Sequence, residues 1–368
     1  MHGSSGDRFD AEFSLAIHNR TGKYFLGRDL LGNLPEMFGR TYYGWRALDA
    51  PPQGLSGRII GRVLYLQARA RASHGLSRLV PRRVPKAPLL HLDPFTVLTV
   101  ALRGQDAVLC HDVGPLTHPA LFDAEVCRVY RFAYAEIARV HCHLVFVSQA
   151  SRDAFFELFP RARPASQRVI YPAIRSDIGT VDEQPVEGVA APFLLTVGSI
   201  GERKNQRRAV LAFGDSGLAR QGVRYVLCGG REPGYEAVVQ AAASVPGVVI
   251  LPYVTDVQLG WLYRYAAGFV LPSLLEGFGI PVAEAISRGL VPLVTKRSVL
   301  QEVAGYGALQ VDAEDREDIA AAMQWLVAMD APERARRQAR LRQSIERFSL
   351  PKFVEDWRMA LQEMTAKR

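Results

Sequence analysis

The alternation of apolar and amphipathic segments constrains the fold of this chain more than any other feature of its sequence. Short apolar runs recur between longer segments of helical periodicity, a pattern that is typical of parallel-sheet α/β domains. In the second half of the chain the predicted strands are 193–197, 225–228, 248–251, 268–271, 291–294 and 308–311. In the first half they are 13–17, 97–102, 107–110, 144–147 and 169–170.

The length of the chain and one polar segment predict where the domains divide. A chain of 368 residues suffices for two domains of ordinary size, each with its own core. Between the two sets of predicted strands, residues 175–191 are polar and acidic, with Pro185 and Pro192 towards the end. We therefore predict an N-terminal domain at 1–185 and a C-terminal domain at 186–350, followed by a final helix at 351–367.

Two glutamates bracket a glycine-rich loop in the second half of the chain. Glu276 and Glu284 flank the sequence Gly277-Phe278-Gly279, which follows a predicted strand and precedes a predicted helix. Corners of this kind hold phosphorylated ligands, because helix N-terminal N–H groups attract anions and glycines let the backbone approach closely. Carboxylates repel phosphate, so their presence predicts that neutral hydroxyls bind beside it. A nucleotide-sugar carries such hydroxyls on both its ribose and its sugar.

The positions of the two glutamates separate their expected roles. Pro281 suits the first turn of a helix, which places Glu284 about one turn into that helix. There its carboxylate is positioned to accept two hydrogen bonds from a ribose diol. Glu276 precedes the glycine-rich loop and is expected to face the transferred sugar.

A pair of basic residues follows the first predicted strand of the same half. Arg203 and Lys204 lie in a loop opened by Gly198 and Gly201, where the next helix is expected to begin. A cation near a helix N-terminus opposes the helix macrodipole by about 0.3–1 kcal/mol. The doubled basic pair therefore indicates a bound anion, with a solvated surface pair as the alternative.

Together these segments resemble the signature of family 4 retaining glycosyltransferases of the GT-B type, whose α/β fold consists of two Rossmann-like domains facing each other across a cleft. The resemblance covers residues 190–345 and is carried by 276–284, 197–205, 229–230, 253–254 and 298–302. In the first half it rests on 21–24, 111–112, 147–148 and 169–172. The resemblance implies that the final helix packs back on the N-terminal domain.

The resemblance also implies roles for individual residues. Arg203 and Lys204 would hold the diphosphate. Glu276 would contact sugar hydroxyls near the reacting carbon, and His111 would reach the sugar and the anomeric centre. The implied donor-binding residues are Gly22, Ser199, Arg203, Lys204, Gly229, Tyr253, Val254, Gly277, Phe278, Gly279, Ile280 and Glu284. Many relatives place an arginine where this chain has Ser199, so Arg203 is expected to supply that charge.

The implied reaction is transfer of a sugar from a nucleotide diphosphate sugar to an acceptor hydroxyl, with retained anomeric configuration and without a metal or other cofactor. The run from His111 to Pro115 and the Arg-Lys-Asn triplet at 203–205 most resemble bacterial mannosyltransferases of surface polysaccharide synthesis. GDP-mannose is therefore the leading donor. The expected acceptor is a saccharide or a lipid-linked saccharide.

Other functions stay open at this point. A UDP-sugar-dependent transferase would use the same framework, and a non-hydrolysing nucleotide-sugar epimerase shares the two-domain architecture. An NAD-dependent oxidoreductase is disfavoured, because Gly198 and Gly201 do not form the Gly-x-Gly-x-x-Gly fingerprint. A non-catalytic polyanion-binding protein would explain the basic residues of the first half but would leave the two glutamates without a role.

The net charge of +8 is concentrated in one part of the chain. Residues 58–86 contain eight basic residues and no acidic one. At ~100° per residue, Arg58, Arg62 and Arg69 share one side of a helix. The opposite side carries Ile59, Ile60, Val63, Leu66 and Ala70. A basic amphipathic helix predicts binding to an anionic membrane surface, with an ordinary surface helix as the alternative. No nucleic acid partner is expected, because no recognised binding motif accompanies the charge.

Cysteine positions and hydropathy predict the compartment. Cys110, Cys127, Cys142 and Cys228 lie in apolar segments without metal-binding spacing, which indicates buried reduced thiols. The sequence has no run of ~18 apolar residues, and residues 1–6 do not follow the pattern of a signal peptide. We expect a cytoplasmic protein that attaches peripherally to the inner face of the plasma membrane through the basic helix.

Overall fold

In the computed structural model, the described residues are 8–17, 22–73, 79–175 and 184–366. The chain divides into two compact units, one of residues 1–173 and 350–368 and the other of residues 174–349. We call these unit 1 and unit 2 and describe each by itself. The sequence placed the division after residue 185, whereas the units divide at the start of the polar segment 175–191. Residues 176–183 of that segment lie outside the described residues.

Unit 1 is built on a seven-stranded sheet. Its strands are β1 (Phe9–Glu12), β2 (Phe38–Tyr43), β3 (Arg46–Ala47), β4 (Leu89–His91), β5 (Ala107–Cys110), β6 (His143–Phe146) and β7 (Ser166–Val169). Its helices are α1 (Gly22–Asn33), α2 (Gly54–Arg71), α3 (Gly114–Thr117), α4 (Ala124–Arg139), α5 (Gln149–Leu158) and, at the end of the chain, α13 (Leu350–Ala366). The strand order is β3-β2-β1-β4-β5-β6-β7, and the pairs are parallel apart from the β2–β3 hairpin.

Two of the strands predicted in this unit are wrong. Residues 13–17 follow β1, and Ser14–Ile17 form a 3-10 helix instead of a strand. Residues 97–102 overlap a second 3-10 helix, Pro94–Leu98, which begins at a proline and is capped by the Asp93 side chain. Apolar content does not separate strands from such turns, because both bury their side chains. The strand at 107–110 is confirmed as β5, and the two that follow it lie within three residues of β6 and β7.

The strand β1 carries two carboxylates, which explains why its sequence does not read as a buried strand. Asp10 and Glu12 are nevertheless buried. Asp10 Oδ1 accepts a hydrogen bond from the backbone N–H of Arg40 at 2.9 Å. Glu12 accepts from the Ser14 hydroxyl and, at 3.3 Å, from the N–H of Gly44. Hydrogen bonds from other elements thus satisfy polar groups that a periodicity argument would place in solvent.

The buried Glu12 makes the stability of unit 1 depend on pH. Burial raises the pKa of Glu12 from 4.5 to about 7, although hydrogen bonds from Ser14 and the charge of Arg83 act in the opposite direction. The folded state therefore binds a proton that the unfolded state has released, and stability falls as pH rises from about 4.5 to about 7. We expect Glu12→Gln to remove this dependence, which amounts to roughly 3 kcal/mol over the interval. Urea unfolding of both proteins at several pH values measures it, and parallel pH profiles would contradict the expectation.

Unit 2 is built on a six-stranded parallel sheet. Its strands are β8 (Phe193–Val197), β9 (Arg224–Cys228), β10 (Val248–Leu251), β11 (Gly268–Leu271), β12 (Pro292–Thr295) and β13 (Leu309–Val311). Its helices are α6 (Gln206–Ser216), α7 (Tyr235–Ser244), α8 (Asp256–Tyr265), α9 (Ile280–Ser287), α10 (Val299–Ala304), α11 (Arg316–Ala328) and α12 (Ala331–Ile345). The six predicted strands are confirmed, each within one residue at either end. Buried parallel strands read as continuous apolar runs, which is why this half was predicted well.

Each sheet has one point where the strand order reverses. In unit 2 the order is β10-β9-β8-β11-β12-β13, so the chain leaves β8 to one side and later returns to its other side at β11. In unit 1 the corresponding neighbours are β1 and β4. Loops that leave the carboxyl ends of such neighbouring strands diverge and form a crevice, which is the usual ligand position in open α/β sheets.

The four cysteines are buried thiols without disulfide bonds. In the described parts of the chain, no helix has the length and apolar content needed to cross a bilayer.

Candidate active site

The reversal point of unit 2 gathers the strongest predicted residues. The loop after β8 carries Arg203 and Lys204, and the loop after β11 carries Glu276. The backbone N–H of Leu274 donates to the carbonyl of Arg203 at 3.0 Å, so the two loops are joined. The structure therefore brings together three of the four residues predicted as catalytic, although 72 positions separate Lys204 from Glu276 in the sequence.

Lys204 is a buried lysine whose ammonium group contacts Glu276. Nζ donates to Glu276 Oε1, and both side chains are only 7% exposed. The Ser273 hydroxyl donates to the same carboxylate oxygen at 2.8 Å. Burial would raise the pKa of Glu276, but Lys204 and Arg203 hold it below its ordinary value. Glu276 is thus an ionised, buried carboxylate at neutral pH, and such charges cluster at functional sites.

Arg203 contacts a second carboxylate, Glu232, which the sequence argument did not identify. Arg203 Nε donates to Glu232 Oε1 at 2.9 Å, and Nη1 lies 3.4 Å from Glu276 Oε2. The Ser199 hydroxyl donates to Glu232 Oε2 at 2.7 Å. Two carboxylates of the chain lie against the basic pair, so its charges are partly matched within the protein, and the bound anion stays a prediction. The signal for Glu232 was its place just after the Gly229-Gly230 pair at the end of β9.

Asn205 fixes the backbone conformation directly after the basic pair. Its φ of 59° is left-handed, and it precedes the first residue of α6. The side-chain amide donates to the carbonyls of Pro272 at 3.0 Å and Ala313 at 2.7 Å, so the residue is held from two other loops. The strained residue turns the chain between Lys204 and α6, which lets Lys204 point into the crevice.

Gly229 occupies a position that only glycine can fill. Its φ is 153°, and a Cβ atom there would lie 2.0 Å from the carbonyl oxygen of Gly198. The loops after β8 and β9 therefore approach each other backbone to backbone, which brings Glu232 next to Ser199. This close packing explains why a glycine is needed at position 229. The contact of Gly229 with the donor stays a prediction.

The glycine-rich loop ends in the helix start that the sequence predicted. Gly279 has a φ of 97° and precedes α9, in which Pro281 lies in the first turn. Gly277 and Ile280 are half-buried on either side of it. The Phe278 ring is buried and packs edge-on against Phe348, with ring centroids 5.0 Å apart. The side chain of Phe278 therefore belongs to the core of unit 2, and only its backbone remains as a candidate contact to the donor.

Glu284 lies about one turn into α9, as predicted, and its carboxylate has a protein partner. The residue is 6% exposed, and Oε2 accepts a hydrogen bond from the Tyr263 hydroxyl at 3.0 Å. Burial, together with the charge of Glu284, raises the pKa of Tyr263, so this hydroxyl stays protonated and donates. Tyr263 takes one hydrogen-bonding position of the carboxylate, which has about four, so the contact with a ribose diol stays a prediction.

Tyr253 and Val254 follow β10, at the same carboxyl edge of the sheet but two strands from β8. The Tyr253 side chain is 81% exposed, whereas Val254 is half-buried. An exposed aromatic ring at a sheet edge is a suitable surface for stacking a planar base. The structure places the pair on the edge expected for the nucleoside end of a donor, and their contact with it stays a prediction.

Unit 1 has a polar cluster of its own at the reversal point between β1 and β4. Lys23 Nζ lies 3.0 Å from Asp93 Oδ2, and the Tyr130 hydroxyl donates to Asp93 Oδ1 at 2.9 Å. Asp93 is fully buried. Burial would lower the pKa of Lys23, but Asp93 and Tyr130 raise it overall, so the pair is ionised at neutral pH. Asp93 and Tyr130 were not predicted, because the sequence argument placed no strand at β4.

His111 directly follows β5 and is the fourth residue predicted as catalytic. Its Nε2 lies 2.9 Å from the carbonyl oxygen of Leu92. Because a carbonyl oxygen only accepts, Nε2 carries the proton and Nδ1 is the acceptor nitrogen. Burial and the charge of Lys23 lower the pKa of His111 to about 4, although Asp93 acts in the opposite direction. His111 is therefore a neutral, oriented imidazole at pH 7.

The resemblance implied that Gly22 lies in a loop after the first strand and approaches the donor, whereas the structure places it in a helix. Gly22 is the first residue of α1, followed directly by Lys23. Residues 18–21, including the Thr21 that opens the resembling segment, lie outside the described residues. The start of α1 lies after β1 at the reversal point, so the general position was right although the local structure was not.

Comparisons with known proteins agree with this architecture. Among curated proteins, O-antigen chain mannosyltransferase B of Escherichia coli is 26% identical over 225 residues, covering 57% of this chain and 58% of that protein. The serotype-specific mannosyltransferase WbdA of Escherichia coli is 28% identical over 255 residues, covering 64% of this chain and 31% of that protein. The matched segments thus span less than two thirds of either relative.

The fold and the family are supported by two further matches. The solved structure of an α,α-trehalose-phosphate synthase (UDP-forming) from Burkholderia vietnamiensis has a TM-score of 0.60 at 14% identity, covering 85% of this chain and 81% of that chain. This similarity confirms the predicted α/β fold of the GT-B class. The family described as glycosyl transferases group 1 matches residues 179–343, which contain the basic pair and both glutamates. Over these residues the chain is therefore similar to the glycosyl transferases group 1 family.

Proposed function

We propose that the chain is a retaining, metal-independent glycosyltransferase of polysaccharide synthesis. It moves a sugar from a nucleotide diphosphate sugar to an acceptor hydroxyl. The observation that carries this proposal is the contact between Lys204, Arg203 and Glu276 at the reversal point of unit 2. Cations and a hydroxyl-binding carboxylate lie side by side there, as a diphosphate and the sugar attached to it require.

The basic pair would stabilise the departing diphosphate. During transfer, the bond between the anomeric carbon and the diphosphate oxygen breaks, and negative charge grows on that oxygen. Lys204 has three N–H donors and Arg203 has five, so each can contact a phosphate oxygen while it keeps a carboxylate partner. Donors held in position before the reaction lower the barrier most effectively, because they need no reorganisation as the charge develops.

Glu276 would bind hydroxyls of the transferred sugar. An ionised carboxylate only accepts hydrogen bonds, and sugar hydroxyls are donors. The acceptor hydroxyl attacks the anomeric carbon from the side of the leaving group and gives its proton to a phosphate oxygen, which retains the configuration. Glu276 also holds Lys204, so it couples the sugar end of the donor to the diphosphate end.

His111 of unit 1 is proposed to contact a sugar hydroxyl. Its neutral imidazole presents Nδ1 as an acceptor, because Nε2–H donates to Leu92. A neutral acceptor suits a hydroxyl better than a phosphate. Burial and the charge of Lys23, which Asp93 holds in place, lower the pKa of His111 and keep the imidazole neutral.

We also propose identities for the donor nucleotide-sugar and the acceptor. One relative is named an O-antigen chain mannosyltransferase and another a serotype-specific mannosyltransferase, which favours GDP-mannose and a lipid-linked saccharide. The trehalose-phosphate synthase that shares the fold is named as UDP-forming, which favours a UDP-sugar as the second candidate. We propose that the enzyme is cytoplasmic.

A thermal-shift screen tests the proposed donor class. The protein is heated with GDP-mannose, UDP-glucose and ADP-glucose, each alone. A ligand at 100 times its dissociation constant should stabilise the folded protein by about 2.7 kcal/mol. We expect one nucleotide-sugar to raise the unfolding temperature, together with its free nucleoside diphosphate. Equal melting curves in all mixtures at millimolar ligand would overturn the proposal.

Replacement of Glu284 by glutamine tests its proposed ribose contact. We expect Glu284→Gln to weaken nucleoside diphosphate binding roughly 10-fold and to leave turnover nearly unchanged, because a ribose contact is made equally in ground and transition states. Calorimetric titration and initial rates measure the two effects. Tyr263→Phe is the control, since it removes one hydrogen-bond donor to Glu284 without changing the charge of the carboxylate. A large loss of turnover at unchanged affinity would place Glu284 at the reacting sugar instead.

A further inference from the structure

The helix α2 of unit 1 buries only one of its faces. Its buried residues are Gly57, Ile60, Gly61, Leu64 and Ala68. Large apolar side chains also lie on the outer surface of the same helix. They are Leu55, Ile59, Val63 and Leu66, which are 67%, 54%, 43% and 46% exposed. The prediction that the apolar residues lie opposite the arginines, with Ile60 among them, needs correction. Ile60 faces the core, whereas Ile59, Val63 and Leu66 are exposed beside the arginines.

The outer surface of α2 carries an apolar stripe beside a basic stripe. At ~100° per residue, Leu55, Ile59 and Leu66 fall within about 40° of one another, and Val63 lies on their flank. Arg58, Arg62 and Arg69 occupy the next ~40° of the outer surface. Both stripes lie away from the buried residues, so they are available together. The outer side of an ordinary surface helix is mainly polar, whereas the outer side of α2 also exposes four large apolar side chains.

The basic stripe is only partly neutralised by the protein. The helix contains no acidic residue. Arg69 Nε lies 3.0 Å from Glu125 Oε1 of α4. Arg58 and Arg62 are exposed, and neither has a carboxylate partner within the described residues. Two arginines thus present unmatched positive charge next to four exposed apolar side chains.

Two further exposed apolar residues lie in the segment that follows α2. Gln67 Nε2 donates to the carbonyl of Pro81 at 2.7 Å, which holds that segment against the end of the helix. Leu79 and Val84, on either side of the contact, are 77% and 68% exposed. Contiguous exposed apolar residues on a folded protein mark an interaction surface.

We propose that unit 1 docks on an anionic lipid bilayer through α2. The apolar stripe would insert at the boundary between headgroups and acyl chains, and Arg58 and Arg62 would contact lipid phosphates. This pairing of shallow apolar insertion with basic residues is the chemistry by which amphipathic helices bind anionic membranes. Each basic residue near such a surface strengthens attachment about fivefold, so binding is reversible and weakened by salt. The proposal is independent of the diphosphate-binding residues proposed in unit 2.

Vesicle cosedimentation tests this proposal with the full-length protein. The vesicles contain either phosphatidylcholine alone or phosphatidylcholine with phosphatidylglycerol. We expect the wild type to sediment with the anionic vesicles at low salt, with at least 10-fold weaker binding to neutral vesicles. Arg58→Glu/Arg62→Glu should reduce binding to anionic vesicles more than 10-fold, and Leu55→Gln/Ile59→Gln should do the same. Unchanged melting temperatures of both variants would show that the fold is retained.

A matched control lies on α12, a basic surface helix of unit 2. Arg336 and Arg340 are exposed with the same four-residue spacing, and no exposed large apolar residue lies on that helix. Arg336→Glu/Arg340→Glu makes the same change of charge and should leave vesicle binding within twofold of the wild type. Equal losses in the α2 and α12 variants would overturn the proposal. So would a wild type that ignores anionic vesicles, or a dimer in analytical ultracentrifugation that Leu55→Gln/Ile59→Gln dissociates.

Discussion

Replacing Lys204 by alanine is expected to weaken nucleoside diphosphate binding roughly 10- to 100-fold, while nucleoside binding changes less than about twofold. One charge-assisted hydrogen bond to phosphate contributes about 1.5–3 kcal/mol, which corresponds to that range. A nucleoside has no phosphate for Lys204 to contact. Calorimetric titration of the variant with GDP, UDP and their nucleosides measures the difference.

The buried contact between Lys204 and Glu276 adds a structural effect that the experiment must separate. Removal of one partner leaves a buried charge without compensation, which costs about 3–5 kcal/mol of stability. The double variant Lys204→Ala/Glu276→Gln removes that charge and should recover most of the stability without recovering diphosphate affinity. Arg207→Ala, at an exposed arginine in the first turn of α6, controls for loss of a nearby positive charge. Equal losses for nucleoside and diphosphate in the double variant would show that Lys204 acts on the fold.

Glu276→Gln is expected to lower turnover roughly 100-fold and to tighten nucleoside diphosphate binding a few-fold. Turnover falls because a neutral amide binds the hydroxyls of a charged transition state less strongly, an effect of about 2.7–4 kcal/mol when one positioned polar group is lost. Affinity rises because the variant removes a negative charge that repels the neighbouring diphosphate. Initial rates and calorimetric titration of the same preparation give both quantities.

Glu232→Gln provides the matched control for this variant. Glu232 is also a partner of Arg203, so its replacement should tighten diphosphate binding as well. Glu232 is not expected to contact the sugar, so turnover should fall less than about 10-fold. If Glu232→Gln and Glu276→Gln gave the same loss of turnover, Glu276 would have no special role toward the sugar.

The fold of unit 2 could be predicted because its strands are buried on both faces and read as apolar runs. Unit 1 was harder for identifiable reasons. The strand β1 contains Asp10 and Glu12, whose hydrogen bonds come from distant residues, and β4 is only three residues long. Neither the distant hydrogen-bond donors nor the neighbours that bury a short strand can be identified from the local sequence.

Site residues that lie in sequence motifs were predicted. Site residues that the fold brings together from separate segments were missed. Lys204, Arg203 and Glu276 lie in recognisable segments, and the structure brings them together. Glu232, Tyr263 and Asp93 became visible only once the loops that meet at each reversal point were known. Their sequence separations from the residues they contact range from 21 to 70 positions, so local pattern carried no information about the pairing.

The reaction products test the central claim most directly. Proton NMR spectra are recorded over time for the enzyme with GDP-mannose and octyl α-mannoside, and again with UDP-glucose as the donor. The account predicts that one donor is consumed, that its nucleoside diphosphate appears in equal amount, and that the new glycoside keeps the anomeric configuration of the donor. Appearance of an epimeric nucleotide-sugar without release of nucleoside diphosphate would contradict the account, and so would a product with inverted configuration.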